Sequence, residues 1–450
     1  MWLLPLQTRI ASLATRTFYR FRIDGPEVPS RGPVLLVANH PNMLLDPVSV
    51  ATAAGRPVRF LAKAPLFHNP FVGAFLRAVG SVPVYRRQDD EVQLSRNEET
   101  FRSVHEALAD GAAVGIFPEG KSHGQPALVP LRTGAARMAL GAASLIKRDF
   151  PIIPVGLTFS RKEMFRSEAL ALIGRPVEWR DLSERGETDE SAVRELTHRI
   201  DQSLRGVTWN LEQWEDAPAI ACAEAIYAAE YRLPDDGEER MGRLGALANG
   251  LRALRSVSPA RSEALLASLV SFQKRAARLG VEPEDLSMTP RWGIAARWAM
   301  TRASLLLLAF PVLLAGTLIF YLPYRVVGLV ASRVRTGRET RSTVKLLVGM
   351  AAFSLWICSL AVAAWQLLGR EAGLACIALL PLLGVFTLGL ADRTREEVAD
   401  ARGFLVRWRR KGLREMLRAE RRALASELEE IRLEIVHAPS NDPAPGQSLP

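Results

Sequence analysis

Apolar and polar positions follow two regimes along this chain. In the N-terminal part, short apolar runs end in turn residues and give way to segments with helical spacing. Residues 33–38 (PVLLVA) run into Asn39, His40, Pro41 and Asn42, which reads as a buried strand feeding a loop. Residues 58–62, 81–85, 112–117 and 151–159 repeat the strand signature. Residues 93–109 and 133–146 carry helical periodicity, and Gly111 closes the first of these. Such alternation predicts an α/β domain, a mainly parallel sheet with flanking helices, over 26–190. From 191 to 300 the pattern turns helical and basic, with turns near Pro234, Pro259 and Pro283 and no strand candidate.

The second regime is apolar. Residues 304–322, 346–368 and 372–391 contain no charged side chain. A bilayer core takes about 20 apolar residues at 1.5 Å rise each, so every run is long enough to span it. Buried core helices are the alternative reading, and three such runs close together argue against it. The expectation is an integral membrane protein with a helical membrane domain over 301–391, including a hairpin over 346–391 that turns at Gly369, Arg370 and Glu371. Pro311 and Pro323 predict that 304–330 bends as a re-entrant or in-plane element instead of crossing. A charged helix is expected over 392–438 and a disordered tail over 439–450. At the other end, within 1–25, Trp2, Leu3, Leu6, Ile10, Leu13 and Phe18 interleave with Arg9, Arg16 and Arg20. That pattern suits an amphipathic helix in the headgroup plane, or one packed on the soluble domain.

Composition adds a sign to this picture. The chain has 450 residues, and its 58 Lys+Arg against 48 Asp+Glu leave a net charge of +10, which calls for anionic partners. The basic clusters flank apolar spans, so an anionic phospholipid membrane explains them and nucleic acid is disfavoured. Nothing at the start resembles a signal peptide, so the first domain is expected in the cytoplasm, and the spans in the inner membrane if the source is bacterial. Cys222, Cys358 and Cys376 lack motif spacing, which excludes a disulfide scaffold and a zinc ribbon. There is no HExxH, so neither a metal nor a resident cofactor is expected.

Two loops carry candidate chemistry. His40 follows a strand, where open α/β sheets place their ligand sites, and Asp46 lies six residues on. On one helix that offset would put the two about 120° apart. Pro41 and Pro47 instead predict a loop over 39–46, ahead of a helix starting at Pro47, from which Asp46 can fold back. An Asp on the imidazole would fix its tautomer and make the pair a general base for a hydroxyl. The second loop, Phe117-Pro118-Glu119-Gly120, also follows a strand. Gly120-Lys121-Ser122-His123-Gly124 matches the G-x-S-x-G elbow of serine hydrolases. That elbow needs an immediate helix, and Pro126 and Pro130 prevent one. His68, His105 and His198 have no partner pattern.

Taken in order, Asn39-His40 with Asp46-Pro47, then 80–86 (GSVPVYR), Phe117-Pro118-Glu119-Gly120 and Ile153-Pro154-Val155 resemble the four blocks of the glycerolipid acyltransferase (PlsC-type) superfamily. The resemblance covers roughly residues 30–180. Most of that superfamily has four residues between His and Asp, whereas this chain has five, Pro41 to Leu45. The branch acylating glycerol 3-phosphate or dihydroxyacetone phosphate is similar in this spacing. It also resembles the chain in Ser122-His123, in Pro130-Leu131-Arg132-Thr133-Gly134, and in membrane spans after the catalytic domain.

This resemblance implies acyl transfer from a thioester of coenzyme A or acyl-carrier protein to a glycerol-phosphate acceptor. His40 would be the base and Asp46 its orienting group. Arg86 would clamp the substrate phosphate, because a guanidinium binds phosphate in two-pronged fashion, with Lys63 and Arg132 as secondary cations. Glu119 and Gly120 would line the acceptor pocket, Glu119 bonding a glycerol hydroxyl, and Ser122, His123 and Pro154 complete the blocks. An acyltransferase for lysophosphatidate and a non-catalytic basic membrane tether are the competing readings.

Overall fold

The computed structural model describes residues 2–85, 97–234, 236–279, 281–287, 292–334, 337–409 and 411–437. A 3-10 turn (Leu4–Leu6) leads into α1 (Gln7–Phe18), β1 (Arg20–Asp24), β2 (Val34–Ala38), α2 (Leu45–Ala54) and β3 (Val58–Lys63). A second 3-10 turn (Ala64–His68) precedes α3 (Pro70–Ala78), β4 (Val82–Val84), α4 (Asn97–Ala109), β5 (Ala113–Ile116) and α5 (Gly134–Ile146). Then come β6 (Ile152–Phe159), β7 (Glu168–Ile173), α6 (Glu190–Gly206), α7 (Ala217–Tyr231), α8 (Gly237–Val257) and α9 (Pro259–Leu279). The chain ends in α10 (Trp292–Arg333), α11 (Arg338–Leu368), α12 (Arg370–Arg409) and α13 (Lys411–His437). Two compact units result, one of residues 1–210 and 304–394, the other of 211–303 and 395–450.

In the first unit seven strands form one sheet, in the order β1-β7-β6-β2-β5-β3-β4. Every pairing is parallel except β6 with β7. The central strand β2 is buried along its whole length because helices cover both faces, and its apolar run is therefore unbroken. Its side chains still alternate. Leu35 and Val37 pack with Val104, Leu108, Leu140 and Leu196 on one face. Val34, Leu36 and Ala38 pack with Ala11, Phe18, Leu45 and Val50 on the other. Full burial of each such Leu or Val contributes roughly 1.5–3 kcal/mol.

The sheet differs from the expected one by two strands, β1 and β7, which the apolar pattern does not announce. Residues 20–24 therefore belong to the sheet and not to an N-terminal helix. α1 packs along α2 with Ala11, Thr15 and Phe18 inward. Gln7 fixes its start by exchanging two 2.7 Å hydrogen bonds with the Val58 backbone. Trp2, Leu6, Ile10 and Leu13 stay exposed on the outer side. The helix after His40 begins at Leu45, two residues before the expected Pro47, so Asp46 lies in its first turn.

Among the described residues three helices are long and apolar enough to cross a membrane, within Ala309–Arg333, Thr340–Leu368 and Arg370–Arg395. They expose Leu318, Leu355, Leu367 and Phe386, a surface suited to lipid and not to water. The expected break in 304–330 is absent, since α10 runs unbroken through Pro311 and Pro323. The charged segment expected over 392–438 is helical wherever it is described, α12 running on through it to Arg409 and α13 covering Lys411–His437. In the second unit α13 packs against α7, α8 and α9. Residues 93–96 of the expected α4 and the tail 439–450 lie outside the described residues.

Candidate active site

β2 and β5 are parallel neighbours, with Val37 opposite Ile116. The loops leaving their carboxyl ends therefore emerge side by side, which brings together blocks almost 80 residues apart in sequence, His40 and Glu119 being separated by 79. Asn39 ends the strand by letting its side chain imitate backbone. Its Nδ2 donates to the Leu157 carbonyl at 3.0 Å, and its Oδ1 accepts from the Leu157 N–H at 2.7 Å. This locks the start of the His40 loop to β6.

His40 Nδ1 lies 2.8 Å from Asp46 Oδ2, and the Asn42 N–H donates to the same oxygen at 2.6 Å. The tight turn that closes this distance passes through Met43 at φ 44°. Asp46 is completely buried. Burial pushes its carboxyl above the ordinary carboxylate range, while the His40 hydrogen bond and charge, the Asn42 N–H and the Lys162 charge pull it back. A proton on Nδ1 satisfies this contact and leaves the Nε2 lone pair to accept one from a hydroxyl.

The 117–123 loop grips His40 from three directions. Phe117 stacks on the imidazole at 4.2 Å between centroids, with Phe60 6.1 Å behind it. The His40 N–H donates to Glu119 Oε1 at 2.7 Å, and the His40 carbonyl accepts from the His123 N–H at 3.1 Å. Ser122 Oγ accepts from the Met43 N–H at 3.1 Å. Glu119 is 3% exposed, and its Oε2 bonds His123 Nε2 and the Val129 N–H. Both Glu119 oxygens thus bond the protein and hold the His40 loop.

The other expected site residues distribute unevenly. Gly120 takes φ +74°, and the Arg132 side chain lies across it, so close that a Cβ there would fall 2.6 Å from Arg132 Nε. Arg132 also donates its N–H to the Pro118 carbonyl at 2.8 Å, which puts this cation beside the 117–123 loop. Lys63 ends β3 at the same sheet edge and is exposed. Pro154 is buried within β6 opposite Val37, a place in the sheet and not in the loops. Arg86 lies outside the described residues. Away from the site, His105 stands 3.6 Å from Glu187 and His198 bonds Gln202.

Sequence reasoning missed three contributors. Asn42 carries the second hydrogen bond to Asp46, Tyr19 accepts from Asn42 Nδ2 at 2.7 Å, and Lys162 Nζ donates to the Pro41 carbonyl at 3.1 Å. An Asn in a Pro-flanked turn is the one signal that pointed this way. Tyr19 and Lys162 reach the loop only through tertiary folding.

A model of the Acyltransferase family matches residues 20–158, which hold β1 to β6 and both loops. Residues 20–158 form an acyltransferase-family domain. The chain is 36% identical over 144 residues to glycerol-3-phosphate O-acyltransferase 2 of Saccharomyces cerevisiae, which covers 31% of this chain and 19% of the yeast protein. It is 28% identical over 160 residues to 1-acyl-sn-glycerol-3-phosphate acyltransferase of Bacillus subtilis, covering 35% of this chain and 71% of that one. The crystal structure of the 1-acyl-sn-glycerophosphate acyltransferase PlsC from Thermotoga maritima aligns with a TM-score of 0.35 at 19% identity, over 45% of this chain and 78% of that one. The chain thus spans about a fifth of the yeast relative's length.

Proposed function

We propose that this chain is a membrane-bound O-acyltransferase that moves a fatty acyl group from an acyl thioester to glycerol 3-phosphate or dihydroxyacetone phosphate, in phospholipid synthesis. The observation that carries the reading is the 2.8 Å contact of His40 with buried Asp46, held between two loops of an acyltransferase-family domain. His40 Nε2 takes the acceptor's hydroxyl proton as the oxygen attacks the thioester carbonyl. The C–S bond then breaks and the proton passes to the departing thiolate. The thioester is already activated, so no acyl-enzyme is required. Arg86, with Lys63 and Arg132, supplies the positive charge for the acceptor's phosphate, and the catalytic domain faces the cytoplasm, where the donor is.

Two matches favour different acceptors. The yeast relative is a glycerol-3-phosphate O-acyltransferase, and the Bacillus relative acts on the 1-acyl ester. The five-residue turn between His40 and Asp46 supports the first. Release of free coenzyme A from palmitoyl-coenzyme A, with each acceptor in turn, tests this. His40→Ala should lower the rate 10²–10⁴-fold, the usual cost of a lost general base. Arg86→Ala should chiefly raise the acceptor's KM, because a phosphate contact is made in both ground and transition states. Turnover with lysophosphatidate alone would move the assignment to the second acceptor. No turnover with any acceptor would favour a membrane tether.

A further inference from the structure

We infer that Ser342 and Tyr19 are positioning residues that make the geometry of the His40–Asp46 pair depend on the docking of α11. The inference rests on the proposed role of that pair. Ser342 stands in the second turn of α11, at the start of an apolar helix, and is completely buried. Its Oγ donates to the Lys162 carbonyl at 2.6 Å. The same carbonyl accepts from the Tyr19 hydroxyl, so both of its lone pairs are used, one from the sheet domain and one from the helix. Tyr19, itself completely buried, accepts from Asn42 Nδ2 at 2.7 Å. The Asn42 N–H is the second hydrogen bond on Asp46 Oδ2.

The chain of contacts is therefore continuous, from Ser342 through the Lys162 carbonyl, Tyr19 and Asn42 to Asp46 and His40. A branch returns through Lys162 Nζ to the Pro41 carbonyl, in the turn that carries Asp46. Neighbouring contacts on the same segment explain why it stays put. Lys345 Nζ donates to the Glu163 carbonyl, Arg341 pairs with Glu163 at 3.1 Å, and Arg166 pairs with Asp392 of α12. Thr340 Oγ1 lies 3.1 Å from Met43 Sδ, in the turn itself. The two links made by Asn42 are buried and the two on the Lys162 carbonyl are part-buried, while Ser342, Tyr19, Asn42 and Asp46 are themselves buried, so an unmade hydrogen bond is costly and each partner has few alternatives. Loss of one hydroxyl should let the turn relax by a fraction of an ångström, which a base–orienter pair tolerates poorly.

The experiment is a mutant cycle on the full chain in membranes, reading coenzyme A release at saturating substrates. Ser342→Ala and Tyr19→Phe should each lower kcat roughly 3–10-fold, the effect of one hydrogen bond. KM for both substrates should not change, and Ser342→Thr should restore most of the rate. In an Asp46→Asn background, the same two substitutions should cost nothing further, since they act through Asp46. Equal losses in both backgrounds, or none in either, would overturn the positioning role. Thermal unfolding of Tyr19→Phe, which keeps the ring, separates misfolding from mispositioning. Full activity in His40→Ala and Asp46→Asn would instead sink the proposed function, so the two failures are distinguishable.

Discussion

Asp46 holds a charge at a position where water does not reach it, and its raised carboxyl range follows from that burial. On the proposed mechanism activity needs the carboxylate form, because that form keeps the proton on His40 Nδ1. With the Asp46 range raised, rate should fall on acidification at a pH above that of an exposed carboxylate. Lys162 contributes a charge that lowers the Asp46 range. Lys162→Met should therefore move the acid limb of kcat to higher pH, and an unmoved limb would show that this charge is not felt. Glu119 gives a second residue-scale expectation. Glu119→Gln places an NH₂ against donors, because Glu119 Oε2 accepts from His123 and from the Val129 N–H. It should cost about 1–3 kcal/mol of stability as well as rate, measured by chemical unfolding. A stability unchanged with rate lost would mean that Glu119 acts on substrate after all. The His/Asp pair and the Phe-Pro-Glu-Gly loop were legible because each directly follows an apolar strand. The role of Glu119 was not, since a carboxylate's partners are set by which loops the parallel pairing of β2 and β5 makes adjacent.

At the scale of elements, all five expected strands formed, and the plainest of them, β2, β5 and β6, are buried on both faces, whereas β3 and β4 are only partly buried. β2, β5 and β6 are continuous apolar runs for that reason. β1 (RFRID) is an edge strand whose charged residues suit an edge and hide the pattern. β7 (EALALI) is built of good helix formers, and its pairing with β1 and β6 overrides that propensity. The N-terminal helix combines both readings of its sequence, one face packed on α2 and the other bare. That bare face has an apolar neighbour, because the Leu3 N–H donates to the Ala78 carbonyl at the end of α3. Leu66, Phe71 and Phe75 are exposed beside it, Phe71 at 86%. With Arg9, Arg16 and Arg77 among them, these residues suit the headgroup region of an anionic leaflet. An environment-sensitive fluorophore on Leu13→Cys or Phe71→Cys should be quenched by brominated lipid in reconstituted vesicles. One on Glu195→Cys of α6, across the sheet, should not. A Phe71 label as unquenched as the α6 control would remove α3 from the membrane surface.

At the scale of the whole molecule, the fold constrains how often the chain crosses the bilayer. The segments flanking the apolar helices, 211–303 and 395–450, belong to one compact unit. Cys222, Leu254, Leu265 and Phe272 from the first share an apolar core with Leu417, Leu424, Leu428 and Ile431 from the second. Such a core cannot be shared through a membrane. The chain must then leave and return on one face, and the number of complete crossings between 304 and 394 is even. Among the described residues three helices are long enough to cross, so at least one of them does not. α11 and α12 form a hairpin through Gly369, and Ser342 near the start of α11 and Asp392 in α12 both hold the 160–167 segment. That hairpin goes out and comes back, which leaves α10. Charge agrees, since 325–345 carries six Lys or Arg against one Glu, and positive segments favour the cytoplasmic face. α10 is unbroken, and its 42 residues span about 63 Å against a bilayer core of about 30 Å, with its backbone satisfied as a continuous helix held against the hairpin. The Trp356 indole donating to the Ile319 carbonyl at 2.9 Å, and the close approach of Gly316 to Thr387, fasten it there. The test uses sealed vesicles and a chain with its three native cysteines replaced. Ala303→Cys and Ser332→Cys should label with an impermeant maleimide from the same side. Labelling from opposite sides would make α10 an ordinary span, and the shared core of the second unit would then be impossible in the membrane.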